Sequence, residues 1–300
     1  MNPNDIIIHI HIPRTAGTSL QNHIGDAYSR PTCWNHYHWE EGTSPTLYAT
    51  NNIPLLANRT KDQHRELKVI SGHSTFCNIH KWLRVQKNPK FITFVRDPIK
   101  RILSSFNHRH AQSVLRQDNK LFSRYPLLNA SAVQNNMTAN DYDTLWEFYL
   151  DAKIEQNLQC KWITKSFLNW NYGSGWQPYQ SYDGMRVGIS PEETIPVCLP
   201  EWLWWDKGEY NYWDTTKTLL NKFWWISADE DQTQNIKDLC TYTDLTFYED
   251  VYENRSGTYI EPYWTIEDVM QQPNIQKLID AEKYDYALLN HVKKYNRRPF

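Results

Sequence analysis

Residues 6–20 read IIIHIHIPRTAGTSL. A β-branched run with a histidine at every second place has the composition of a short buried strand, and Pro13 ends it. Small and hydroxyl-bearing residues follow, and Thr18 or Ser19 begins a helix running toward Tyr28. A strand feeding a small-residue loop and then a helix is a common way to hold an anion. Backbone N–H groups at the helix start, made approachable by Ala16 and Gly17, can encircle an oxyanion, while Thr15, Thr18 and Ser19 add hydroxyls and Arg14 adds charge. The loop is not a Walker A motif, because G-x-x-x-x-G-K-[S/T] is absent and the cation precedes the glycine. A capped helix with a stray arginine would be spelled in the same way.

Two further stretches, LKVISGH (67–73) and KFITFVRD (90–97), repeat this grammar of a short apolar run ending in polar or glycine residues. After the second, Pro98 suits a first helical turn, with Ile99, Ile102, Leu103 and Phe106 as a buried stripe. Residues 144–168 read as one or two helices, KFWWIS (222–227) as a fourth strand, and 228–243 as a helix with acidic residues in its first turn. A final helix runs from about Asn274 to Tyr295. Strands alternating with helices predict a three-layer α/β domain, a central mostly parallel sheet flanked by helices, with its ligand crevice beyond the strand carboxyl ends. All three polar loops gather there.

Composition narrows the choices. The 300 residues are 40% apolar and 22% charged, which is globular, and they read as one domain, 1–300, with an aromatic-rich insertion at about 169–213. The formal charge of −2, from 32 basic and 34 acidic residues, supplies no global field for nucleic acid or an anionic membrane. Five scattered cysteines without a C-x-x-C spacing argue against a disulfide framework or zinc ribbon. Cys33, His36 and His38 in CWNHYHWE match no zinc spacing, so no metal is expected. No secretion or anchoring signal is legible, and the expectation is a cytoplasmic protein. The 14 tryptophans and 19 tyrosines are first of all packing material, and second a platform for a flat substrate face such as a sugar ring.

The segment VRDPIKRILSS (95–105) places Arg96 at a strand end and Ser104 in the following helix, so that both can reach one phosphate. Arg101 lies one turn before Ser104 on the helix surface. A local Arg96–Asp97 salt bridge is the plainer alternative. Taken together, HIPRTAGTS (11–19) and VRDPIKRILSS resemble the two nucleotide-binding elements of sulfotransferases that use 3′-phosphoadenosine-5′-phosphosulfate (PAPS), in particular the carbohydrate type, which includes the heparan sulfate 2-O- and 6-O-sulfotransferases. The resemblance implies a P-loop-like fold, with PAPS as donor and 3′,5′-ADP as product. It implies that Arg14, Thr15, Ala16, Gly17, Thr18 and Ser19 hold the phosphosulfate, and that Arg96 and Ser104 hold the 3′-phosphate. SGHSTF (71–76) resembles the family's stretch carrying a catalytic histidine, which maps to His73. NLQCKWI (157–163), WISADED (225–231), ENRS (253–256) with Arg255 and Ser256 on the nucleotide side, and YDYALLNHV (284–292) extend the likeness in order along the chain. One departure is Arg14, where the family has lysine; charge is kept, but a planar fork replaces a compact ammonium.

The function implied is a PAPS-dependent sulfotransferase (EC 2.8.2 type) moving a sulfuryl group to a hydroxyl of a sugar or small molecule. His73 takes the acceptor's proton, because it ends a strand at the crevice and titrates in a suitable range, with His11 in reserve and Arg14 at the leaving oxygen. The competing readings are a nucleotide-dependent kinase or NTPase, disfavoured by the missing Walker A motif, and a non-catalytic nucleotide-binding module. The acidic, aromatic stretch EWLWWDKGEYNYWD (201–214) favours a small or weakly charged acceptor over a highly anionic polysaccharide.

Overall fold

The computed structural model describes residues 2–15, 17–24, 33–35, 60–72, 75, 77–117, 141–151, 156–167, 212–228, 231–243, 245–247 and 261–295. Five parallel strands form one sheet: β1 (Asp5–Ile10), β2 (Cys33–Asn35), β3 (Val69–Gly72), β4 (Asn88–Phe94) and β5 (Phe223–Ser227), in the spatial order β2-β3-β1-β4-β5. The central position explains the spelling of β1. A parallel strand covered on both faces must be apolar throughout, and Ile6 to Ile10 are all fully buried, His9 included.

Alternation along β1 separates two layers. Ile6, Ile8 and Ile10 pack with Cys160 and Ile163 of α5 (Leu158–Phe167), Tyr212 of α6 (Tyr212–Leu219) and Leu288 and Val292 of α10 (Lys283–Tyr295). Ile7 points the other way, with Val69, Ile92 and Trp225, against Leu20 and Ile24 of α1 (Gly17–Ile24) and Ile236 and Leu239 of α7 (Gln232–Thr241). Full burial of each such side chain contributes about 1.5–3 kcal/mol. A third cluster joins α3 (Pro98–Gln117) to α4 (Leu145–Asp151), α8 (Ile266–Met270) and α9 (Ile275–Ala281) through Ile99, Ile102, Leu103 and Phe106, the stripe read from the sequence. A short helix, α2 (Lys61–Glu66), precedes β3 and is closed by a Thr60–Gln63 capping box.

Strand β2 was not legible, since three residues of Cys, Trp and Asn carry no pattern of their own and owe their extension to pairing with β3. Among the described residues of 144–168 there are two helices, α4 and α5, and Asn157, just before α5, adopts the left-handed conformation (φ 51°) that asparagine tolerates. The expected final helix is also two, α9 and α10, broken at Glu282, whose side chain turns into the core. In α7 the acid lies before the first turn: Asp231 is the N-cap, accepting from the Gln234 N–H at 2.9 Å. Arg101 is not on the helix surface; it is 2% exposed and faces Glu282. Of the aromatic-rich stretch at 169–213, Tyr212 and Trp213 alone are described. Both pack on the core, Trp213 edge-on to His291, which fits the packing role of such residues. No described helix is long and apolar enough to cross a membrane.

Candidate functional site

Strands β1 and β4 are parallel neighbours, so the loops that leave their carboxyl ends emerge side by side. Beyond β1 the chain buries His11 and Ile12, turns at Pro13 and Arg14, and enters α1 at Gly17. Arg14 has φ 67°, a left-handed conformation uncommon for a residue with a Cβ, which turns the chain sharply before the helix. Thr15 is fully buried, and its hydroxyl donates to the Ile12 carbonyl at 2.9 Å, closing the loop on itself.

Two stacked imidazoles support this turn. His11 lies 5.2 Å from His9, at 16° between planes, and His9 is hydrogen-bonded to Ser71 Oγ at 2.7 Å with Phe94 at its edge. The His11 ring occupies the space that a side chain at residue 17 would need: a Cβ there would fall inside the ring's van der Waals envelope. The loop therefore requires glycine for close approach. Gly17→Ala is expected to cost about 1–3 kcal/mol through overpacking. A lower urea midpoint checks this, and adding His11→Ala should recover part of the loss. A midpoint equal to wild type in the single variant would refute the contact.

The second loop begins at Arg96, just past β4. Its guanidinium Nη1 donates to the Arg14 carbonyl at 3.3 Å, so the two cationic loops meet directly. Its own peptide is held from the other side: the Arg96 N–H donates to Gln159 Oε1 at 2.9 Å, and Gln159 Nε2 donates to the Arg96 carbonyl at 2.9 Å. Asp97 serves as the N-cap of α3, accepting from the Lys100 N–H at 3.0 Å, and Pro98 occupies the first helical position. Ser104 is half-buried on α3, and His108 lies one turn further on the same face.

His108 lies close enough to the first loop to feel the charge of Arg14. Burial, then the cations of Arg14 and Arg109, push its imidazole down to about 3, so it is neutral near pH 7. The structure thus brings together the turn at Arg14, which leads into the helix start at Gly17, and Arg96, while Ser104 lies on the helix that leaves Arg96. Ser19 is half-buried in the first turn of α1, and the backbone of Thr18 belongs to the same turn. Ala16, His73, Arg255 and Ser256 lie outside the described residues, as do His36 and His38. No group of metal-binding side chains occurs among the described residues, and Cys160 and Cys240 form no disulfide. Sequence reading passed over His108, although its spacing of four from Ser104 was a usable signal. It also assigned no role to Gln159.

An open parallel sheet with two cation-bearing loops meeting at the carboxyl ends of adjacent strands defines the class of the protein, a three-layer-type α/β fold. The chain belongs to the sulfotransferase family, whose sequence model, described as Sulfotransferase family, matches residues 1–171. That match spans both loops and Gln159, while β5 and the closing helices lie beyond it. No curated protein matches the chain.

Proposed function

We propose that this chain transfers the sulfuryl group of PAPS to an acceptor hydroxyl, on a sugar or a small molecule, by in-line displacement. The observation that carries the reading is the 3.3 Å contact from the Arg96 guanidinium to the Arg14 carbonyl, because it unites the two elements that such a nucleotide needs at its two charged ends. The residues present suit the donor. Arg14 and the α1 amides match a phosphosulfate, and Arg96 with Ser104 matches a 3′-phosphate.

PAPS supplies an activated sulfur whose bond to the phosphate oxygen breaks as a bond to the acceptor oxygen forms. Arg14 and the loop amides stabilise the charge that builds on the departing phosphate oxygen. His73 takes the acceptor's proton. His11, 3% exposed beneath Gly17, is a support for the loop in this scheme, and the neutral His108 adds no charge that would compete with Arg14 for the anion.

Calorimetric titration tests the reading. The protein should bind 3′,5′-ADP in preference to ATP with magnesium, and Arg96→Ala should weaken 3′,5′-ADP by about 10–100-fold, the worth of a charge-assisted hydrogen bond. Tighter binding of magnesium-ATP would point to a kinase or NTPase instead. Binding of 3′,5′-ADP without transfer of labelled sulfate to any of a panel of hydroxyl acceptors would leave a nucleotide-binding module.

A further inference from the structure

Arg96 can grip a phosphate only if its backbone aims the side chain at the cleft, and it stands where the sheet stops supplying ladder bonds. Val95 still donates to the Ser227 carbonyl at 2.9 Å. One residue later both peptide groups of Arg96 are taken by a single side chain, that of Gln159, 63 positions away and fully buried. A carboxamide carries an acceptor oxygen and a donor nitrogen on one carbon, so a single side chain can accept from an N–H and donate to a C=O at once. Asparagine is too short to reach from the same Cα, and a carboxylate lacks the donor.

Gln159 is itself held in place from the far end of the chain. It sits in the first turn of α5, where helix N–H groups have no intrahelical partner. Asp285 on α10 accepts two of them, from Gln159 at 2.9 Å and from Cys160 at 2.9 Å. Asn157, in its left-handed turn, accepts from the Tyr284 and Asp285 N–H groups at 2.9 and 3.2 Å, and Glu282 accepts from the Asn157 N–H at 3.1 Å. Direct hydrogen bonds thus run from α10 through the α5 start to the Arg96 peptide, and from the Arg96 guanidinium to the Arg14 carbonyl.

We propose that Gln159 is a positioning residue for nucleotide binding, clamping both peptide groups of Arg96 so that its guanidinium is presented to the 3′-phosphate. This rests on the donor reading above. A residue that only supported the fold would affect every ligand alike, whereas a clamp on Arg96 affects the ligand bearing a 3′-phosphate.

The test is calorimetric titration of 3′,5′-ADP and of 5′-AMP, which lacks the 3′-phosphate, into wild type, Gln159→Leu and Gln159→Glu. In Gln159→Leu the preference for 3′,5′-ADP over 5′-AMP should fall about 10-fold, mostly through the former. Gln159→Glu keeps the acceptor and loses the donor, so it should fall part of the way; it also serves if the leucine variant does not fold. In an Arg96→Ala background, Gln159→Leu should change 3′,5′-ADP affinity by less than about 2-fold. A wild-type preference retained in folded Gln159 variants, or an equal loss for both nucleotides, overturns the clamp alone. A wild type that does not distinguish the two nucleotides overturns the donor reading and the clamp with it.

Discussion

Replacing His73 by alanine is expected to lower sulfuryl-transfer turnover about 10²–10⁴-fold, the usual contribution of a general base, while 3′,5′-ADP affinity stays at the wild-type value. Register supplies the reason. Gly72 pairs with Ile10, so the carboxyl end of β3 stands beside that of β1, whose loop carries Arg14. Residue 73 follows Gly72 directly in the chain, and histidine is the residue type that most often serves as a general base. The other histidines around the loops are less suited to the task. His11 is shut beneath Gly17 and stacked on His9, and His108 is pushed down to about 3, which makes it a weak base. Steady-state kinetics with labelled donor, paired with calorimetry, separates turnover from binding. Unchanged turnover in His73→Ala would remove that residue from the mechanism.

Glu282→Ala should destabilise the fold by about 3–5 kcal/mol, the cost of stranding a buried charge. Arg101 Nη2 and Glu282 Oε2 are 3.6 Å apart, too far for a hydrogen bond but strongly attractive where both side chains are almost fully buried. Glu282 Oε1 also accepts from the Tyr149 hydroxyl at 3.0 Å and from the Asn157 N–H at 3.1 Å, so one carboxylate joins α3, α4, the α5 start and the break before α10. Urea unfolding followed by circular dichroism gives the loss. A loss below about 1 kcal/mol would show that the pair is dispensable.

The same carboxyl makes stability depend on pH. Burial, and next the charge of Asp285, hold its pKa above the ordinary carboxylate value, with Arg101 opposing. A raised acid binds its proton more tightly in the folded state than in the unfolded one. Its contribution is therefore complete below the unfolded value of about 4.5 and is lost as pH rises through the folded value. Glu282→Gln lacks this titration, so the stability of wild type relative to that variant should fall as pH rises from 4.5. His108 acts with the opposite sign: its depressed value supports the fold above about 6.5 and withdraws that support as pH falls. Both proteins carry it, so it cancels from the comparison.

Sequence alone determined what depends on neighbours along the chain. The apolar runs of β1, β3, β4 and β5 announce strands by their length and composition, and the stripe on α3 announces its buried face by its period. The two loops announce anion chemistry because glycine, hydroxyls and arginine stand next to strand ends. Tertiary structure alone decided what depends on residues far apart: the strand order, the three-residue β2, the break at Glu282 and the burial of Arg101. It also decided that Arg96 reaches across 82 positions to Arg14, and that Gln159 holds Arg96 across 63. Periodicity and spacing record the geometry of a single strand or helix. A hydrogen bond between distant segments exists only once packing has brought them together, and no local pattern of letters encodes that approach.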